Sequence, residues 1–178
     1  MLNELNLPNL CILLSLYTGL RIGEICGLQW QDINLKQSSI SVTKTVERIS
    51  MGDGKTKVVI NPPKTKSSIR KVYMPSFLVD ILKSYKSSPE LFILSGQIQP
   101  KEPRFLQYHF KTVIKKLNII GLSFHSLRHT YASMCIENGF DPKTLSELLG
   151  HADVKITLNT YVHSSDSLKK KYVKRLIK

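Results

Sequence analysis

The feature that most constrains this chain is a change of hydrophobic period in its middle. Up to about Tyr17, and again from Pro75 onward, apolar residues recur at helical spacing. Between Ile40 and Met74 they alternate with polar residues instead. Ile40, Val42 and Thr45-Val46 form a first alternating run, Val58-Val59-Ile60 a second, and Ile69 to Met74 a third. Gly52-Asp53-Gly54 supplies a tight turn between the first two, and Pro62-Pro63 breaks the chain before the third. The expected class is therefore α+β and mainly helical, with a small antiparallel sheet set into an otherwise helical chain.

The helical stretches divide at recognisable stops. Thr18-Gly19 ends the first, and a short helix is expected from about Arg21 to Leu28. Further helices are expected near Pro75 to Lys86, Arg104 to Leu117, His125 to Asn138, Lys143 to Leu149 and Val154 to Tyr161. Gly139 suits a C-terminal stop, and Asp141 suits an N-cap before Pro142. From Ser167 to Lys178, Leu168, Tyr172 and Leu176 repeat at helical spacing among lysines, which reads as a basic amphipathic helix. With 178 residues and no internal repeat, the chain fits one domain, or one domain with a short tail.

Lys and Arg total 26 against 13 Asp and Glu, a formal charge of +13. Such an excess favours a polyanionic partner, because each phosphate contact releases condensed counterions. Nucleic acid is the first expectation and an anionic membrane surface the second. Cys11, Cys26 and Cys135 are far apart and sit among apolar residues, which points to buried thiols in a reducing compartment. No stretch is apolar enough to span a bilayer or shaped like a signal peptide, so a cytoplasmic location is expected.

Four motifs carry potential chemistry. In His125-Ser126-Leu127-Arg128-His129, His125 and Arg128 share a helix face; taken alone, the pair reads as a solvated surface. His125 and His129 stand four apart, as in zinc sites on helices, but Ser126 occupies the place of the zincin Glu, and no metal is expected. In the stretch from Leu149-Gly150-His151 to Tyr161, unbroken helix would not bring His151 and Tyr161 onto one face. A turn must intervene if they meet, and Gly150 with Ala152-Asp153 can supply it. Arg21 follows a turn and opens a helix, with Glu24 three residues on as an ion-pair partner worth little at a surface. The Lys-rich segment Pro63-Lys64-Thr65-Lys66-Ser67-Ser68 reads as a hairpin tip between strands, either a solvated loop or a finger reaching a DNA groove.

Together, and in this order, TGLRIGE (18–24), the lysine segment, HSLRHTYAS (125–133), and LGH (149–151) followed by a tyrosine resemble the phage-integrase family of tyrosine recombinases. The resemblance runs from about Thr18 to His163 and looks most like integrases of phages and conjugative elements. It implies a helical bundle with a small three-stranded antiparallel sheet on one edge. It implies site-specific DNA recombination by transesterification, with Tyr161 as nucleophile and a covalent 3′-phosphotyrosyl intermediate. Arg21 and Arg128 match the family's catalytic arginines, which fits the chemistry: planar guanidiniums hold non-bridging phosphate oxygens bidentately. His125 and His151 match phosphate-contacting or proton-accepting histidines. Lys64 matches the lysine that protonates the leaving 5′-oxygen, with Lys66 as the alternative. Glu24 matches a supporting acid, and His129 is placed with it.

No cofactor, metal or ATP is implied, since phosphodiester energy is kept in the covalent link. The implied partner is double-stranded DNA, bound by a homotetramer in full-length members, whereas this chain alone would be monomeric. Residues 1–165 correspond to the catalytic domain and 166–178 to a basic C-terminal helix that packs in cis or is exchanged between subunits. The family's N-terminal core-binding domain is not visible in this chain. The alternatives are a type IB topoisomerase-like enzyme and a non-catalytic helix-turn-helix protein, with the helix pair between Asp141 and Val162 as the latter's reading head.

Overall fold

The computed structural model describes residues 5–63, 65–161 and 173–174. Among them are seven α-helices: α1 (Leu7–Thr18), α2 (Ile22–Cys26), α3 (Ser76–Tyr85), α4 (Pro103–Lys116), α5 (Phe124–Glu137), α6 (Pro142–Leu149) and α7 (Val154–Tyr161). Five strands lie between α2 and α3: β1 (Ile33–Asn34), β2 (Ser39–Val42), β3 (Thr45–Gly52), β4 (Lys55–Asn61) and β5 (Arg70–Tyr73). The mainly helical α+β class follows from these elements. The expected C-terminal amphipathic helix lies outside the described residues except for Val173 and Lys174.

Local chemistry sets the helix ends. Asn6 caps α1, its Oδ1 accepting the Asn9 N–H at 2.9 Å, with Pro8 in the first turn. Asp141 does the same for α6, accepting the Thr144 N–H at 2.9 Å, again with a Pro beside it. Both helices end in a glycine in the left-handed region, Gly19 at φ 66° and Gly150 at φ 65°. These two helix ends lie close together, since a Cβ on Gly19 would meet Leu149 Cδ2 at 3.0 Å.

The three-stranded antiparallel sheet exists, but in the order β1-β2-β5, with Ile40 opposite Val72 in register. The alternating run from Ile40 to Val46 is two strands, and the second leaves the sheet to pair with β4. That hairpin turns at Asp53-Gly54 and forms a separate two-stranded sheet. The Lys64 segment is therefore not a hairpin tip. It connects β4 to β5, which belong to different sheets.

A main core joins α1, α2, β2, β5, α3 and α4 through Leu10, Leu14, Ile25, Ile40, Val72, Leu78, Leu82 and Leu106. A smaller cluster of Tyr131, Ala132, Cys135, Leu145 and Leu149 fastens α5 to α6. All three cysteines are free and buried. Burial pushes the Cys11 thiol well above its ordinary range and Cys26 to about 12, so neither is a reactive thiolate. No helix among the described residues is long and apolar enough to cross a membrane.

Candidate active site at the end of the sixth helix

Arg21 is the N-cap of α2, yet a guanidinium accepts nothing and cannot cap a helix. Glu24 takes over by reaching back. Its Oε2 accepts the Arg21 backbone N–H at 2.7 Å, and its Oε1 accepts from Arg21 Nη1 at 3.0 Å. The expected weak surface pair is in fact a buried carboxylate, only 5% exposed. A second guanidinium, Arg70, grips the same two oxygens at 2.9 and 3.0 Å. Burial pushes the Glu24 carboxyl up, but the hydrogen bonds and charge of Arg70, then those of Arg21, outweigh it and hold it below the usual range.

Three arginines converge on three successive carbonyls at the end of α6. Arg70 Nε donates to Leu148 O at 2.6 Å, Arg128 Nη2 to Leu149 O at 2.7 Å, and Arg21 Nη2 to Gly150 O at 3.2 Å. The last carbonyls of a helix lack intrahelical partners and carry the negative end of its dipole, so cations are stabilised there. Arg128 Nη1 also donates to Gly19 O at 2.9 Å, which bridges the ends of α1 and α6. Arg128 is 2% exposed, not the solvated residue its helical position suggested. The close approach requires glycine at position 19: a Cβ there would lie 2.5 Å from Tyr131 Cδ1, at a φ that side chains rarely adopt.

His125 stands at the second position of α5, exposed, one turn before Arg128. Its ring meets that of His129 edge to face at 4.7 Å. Partial burial, then the charges of His129, Arg128 and Arg21, hold its pKa below the ordinary value. His151 follows Gly150, its Nδ1 at 2.8 Å from Thr157 Oγ1 of α7. Thr157 is fully buried. Burial, then Arg128, Arg21, Arg70 and His125, bring His151 down to about 4. The turn that the sequence demanded between His151 and Tyr161 is present: Gly150 is left-handed, and Asp153 Oδ1 accepts the Lys155 N–H at 2.8 Å as α7 begins. Position 161 ends α7, one turn beyond Thr157 on the same helix face.

These groups border a cleft of about 200 Å³ lined by Arg21, Gln107, Ser123, His125 and Arg128, together with Leu20, Ile22 and Phe124. Its chemistry is that of an anion site, with forked donors on a rigid frame and the His125 imidazole at its edge. Lys64 and the side chain of Lys66 lie outside the described residues. The backbone at Ser68 comes alongside the site, since its carbonyl accepts from Arg70 Nη1 at 3.2 Å. Among the described residues no His, Cys, Asp and Glu cluster suits a metal. Arg70, Thr157 and Gln107 received no role from the sequence. Only Arg70 carried a faint signal there, as a charge opening a strand whose alternate positions are buried.

The low His151 pKa gives a testable pH dependence. Between about 6.5 and about 4 the unfolded chain binds a proton at this histidine that the folded chain refuses, so stability must fall as pH drops through that window. Urea midpoints measured at pH 7 and pH 5 should therefore differ more for the native chain than for His151→Gln. Equal differences would refute the depressed value.

Comparison with known proteins agrees with this geometry. Residues 3–167 match the model of the phage integrase family. The chain is 36% identical over 173 residues to a XerC-like tyrosine recombinase of Caldanaerobacter subterraneus subsp. tengcongensis, covering 85% of this chain and 44% of that protein. It is 30% identical over 172 residues to the ICEBs1 integrase of Bacillus subtilis, covering 89% and 45% respectively. The Tn1549 transposon integrase, solved in complex with transposon right-end DNA, superposes with a TM-score of 0.73 at 26% identity, over 97% of this chain and 59% of that one. The chain thus spans about half the length of the curated relatives it matches. On its sequence match and on its fold, this chain belongs to the phage integrase family.

Proposed function

We propose that the chain is the catalytic part of a site-specific DNA recombinase that cuts and rejoins strands through a covalent 3′-phosphotyrosyl intermediate. The carrying observation is the meeting of Arg21 and Arg128, distant in sequence, at the end of α6 beside two neutral histidines. In this reading the Tyr161 oxygen attacks the scissile phosphorus, the bond to the 5′-oxygen breaks, and a 5′-hydroxyl leaves. Arg21 and Arg128 hold the non-bridging oxygens as the phosphorus becomes five-coordinate, where charge builds. His125 or His151, neutral at pH 7, takes the phenolic proton; Thr157 occupies Nδ1 of His151 and leaves Nε2 for the phosphate. Lys64, or Lys66, returns a proton to the leaving oxygen. Glu24 orients Arg21, and His129 flanks His125.

The relatives support a role in a mobile element, as they include an integrase of a Bacillus element and the Tn916 transposase of Enterococcus faecalis. Double-stranded DNA is the partner in this reading. A homotetramer on DNA, exchange of residues 166–178 between subunits and a cytoplasmic location belong to the same proposal. The experiment is incubation of the chain with a pool of nicked duplexes randomised around the nick, followed by denaturing electrophoresis. An adduct that survives denaturation is expected. A helix-turn-helix binder would give none, and relaxation of a supercoiled plasmid without any need for two matched sites would favour a topoisomerase.

A further inference from the structure

Arg70 ties together three parts of the site's frame: Glu24 on α2, the end of α6 and the backbone at Ser68. It opens β5 and is 5% exposed. Its Nε donates to Leu148 O at 2.6 Å; Nη1 donates to Glu24 Oε1 at 2.9 Å and Ser68 O at 3.2 Å; Nη2 donates to Glu24 Oε2 at 3.0 Å. The end of α6 is moulded against it as well. A Cβ on Gly150 would lie 3.0 Å from Arg70 Cδ and 3.1 Å from Nη1.

We infer that Arg70 is a positioning residue for strand cleavage, acting through Glu24 on Arg21 and through the end of α6 on His151. The inference rests on the recombinase reading. Arg70 differs from Arg21 in exposure, and from both Arg21 and Arg128 in place. Both arms of its fork are committed to Glu24, and it does not line the cleft that Arg21 and Arg128 line. Arg21 keeps 38% of its side chain exposed; Arg70 keeps almost none. A lysine would not serve, since one ammonium on a flexible stem cannot meet acceptors on three separate segments in one plane.

The action on Arg21 runs through a charge. Glu24 is held below the usual carboxylate range in the interior because the hydrogen bonds and charge of Arg70, then those of Arg21, outweigh its burial. Without Arg70 the buried carboxyl would take up a proton at higher pH. A neutral Glu24 would no longer hold the Arg21 guanidinium and backbone N–H together. Arg21 would then lose its orientation beside the cleft. The action on His151 is mechanical, because Arg70 fastens the last turn of α6 next to the Gly150 turn from which His151 departs.

The test uses the whole chain and the randomised nicked-duplex pool, with single-turnover adduct formation and DNA retention measured separately. Arg70→Gln should slow adduct formation by about 100-fold, the scale of a displacement of about 1 Å in a reacting group. DNA retention should stay within about threefold, because no phosphate contact is lost. The acid limb of the rate should move to higher pH in Arg70→Gln and move back toward its native position in Arg70→Gln/Glu24→Gln, where Glu24 no longer titrates and only the histidine base remains. That double variant should be no slower than Arg70→Gln, since groups acting as one unit are not additive. Arg70→Lys keeps the charge without the fork; it should lose about tenfold and carries the same criteria if the Gln variant does not fold. A rate within threefold of native, an unmoved acid limb, or a double variant whose loss is the product of the single losses would overturn the inference and leave the recombinase reading intact. If the native chain forms no adduct, the recombinase reading fails and takes this inference with it.

Discussion

With phenylalanine at position 161 the chain is expected to bind duplex DNA as before and to form no denaturation-resistant adduct at all. The substitution deletes one oxygen. The arginines that would hold the phosphate are both elsewhere: Arg21 before α2 and Arg128 on α5. Binding, which rests on phosphate contacts and counterion release, should therefore change by less than about twofold. Cleavage should fall to background, because uncatalysed phosphodiester attack is extremely slow and a well-held phosphate without a nucleophile gains nothing. The chain has six other tyrosines, and Tyr131 stands three residues after Arg128 on α5, against Gly19. It is 8% exposed, it packs under Gly19, and burial pushes its phenol well above the ordinary value. It is thus a poor substitute. Denaturing electrophoresis of native and Tyr161→Phe chains on the same nicked pool, with mass spectrometry of any adducted peptide, decides the matter. An adduct formed by the Phe variant, on Tyr131 or any other residue, would remove Tyr161 from the mechanism.

What the sequence made legible, and what it hid, divide along a physical line. Helices and their ends are local events. Period, caps and glycine stops predicted all seven helices to within a few residues, because a cap such as Asp141 and its partner Thr144 are three residues apart. The break in the chain before position 161 was legible in the same way, as a condition: a turn had to lie between His151 and Tyr161, and residues 151–153 are non-helical before α7 begins. Partnerships between distant elements were hidden. β2 pairs with β5 across the whole β3–β4 hairpin, and nothing in either strand names the other, so three alternating runs were read as one sheet. Arg128 looked solvated because helical period assigns charge to the surface. Its acceptors, Gly19 O and Leu149 O, belong to two other helix ends. Glu24 looked like half of a weak surface pair for the same reason, since its second and stronger partner, Arg70, is far along the chain.

Arg128→Ala should damage fold and chemistry together, and the two losses can be separated. Arg128 is among the largest fully buried side chains and satisfies two carbonyls in the interior. Its removal leaves Gly19 O and Leu149 O without these donors, at about 1–3 kcal/mol each, and opens a cavity between α1, α5 and α6. A loss of about 3–5 kcal/mol in urea denaturation follows, comparable with breaking other buried charged contacts. Adduct formation should drop by about 10²–10³-fold, the usual cost of deleting one preorganised donor to a developing oxyanion. Arg128→Lys separates the two effects. An ammonium can reach one of the carbonyls and restore part of the stability, but it has no fork with which to bridge both helix ends and still face a phosphate oxygen. The Lys variant should therefore be folded at 25 °C and remain at least about tenfold slow. A Lys variant with native rate would show that charge alone suffices at this position. An Ala variant within about 1 kcal/mol of native stability would show that the ends of α1 and α6 do not depend on the arginine between them.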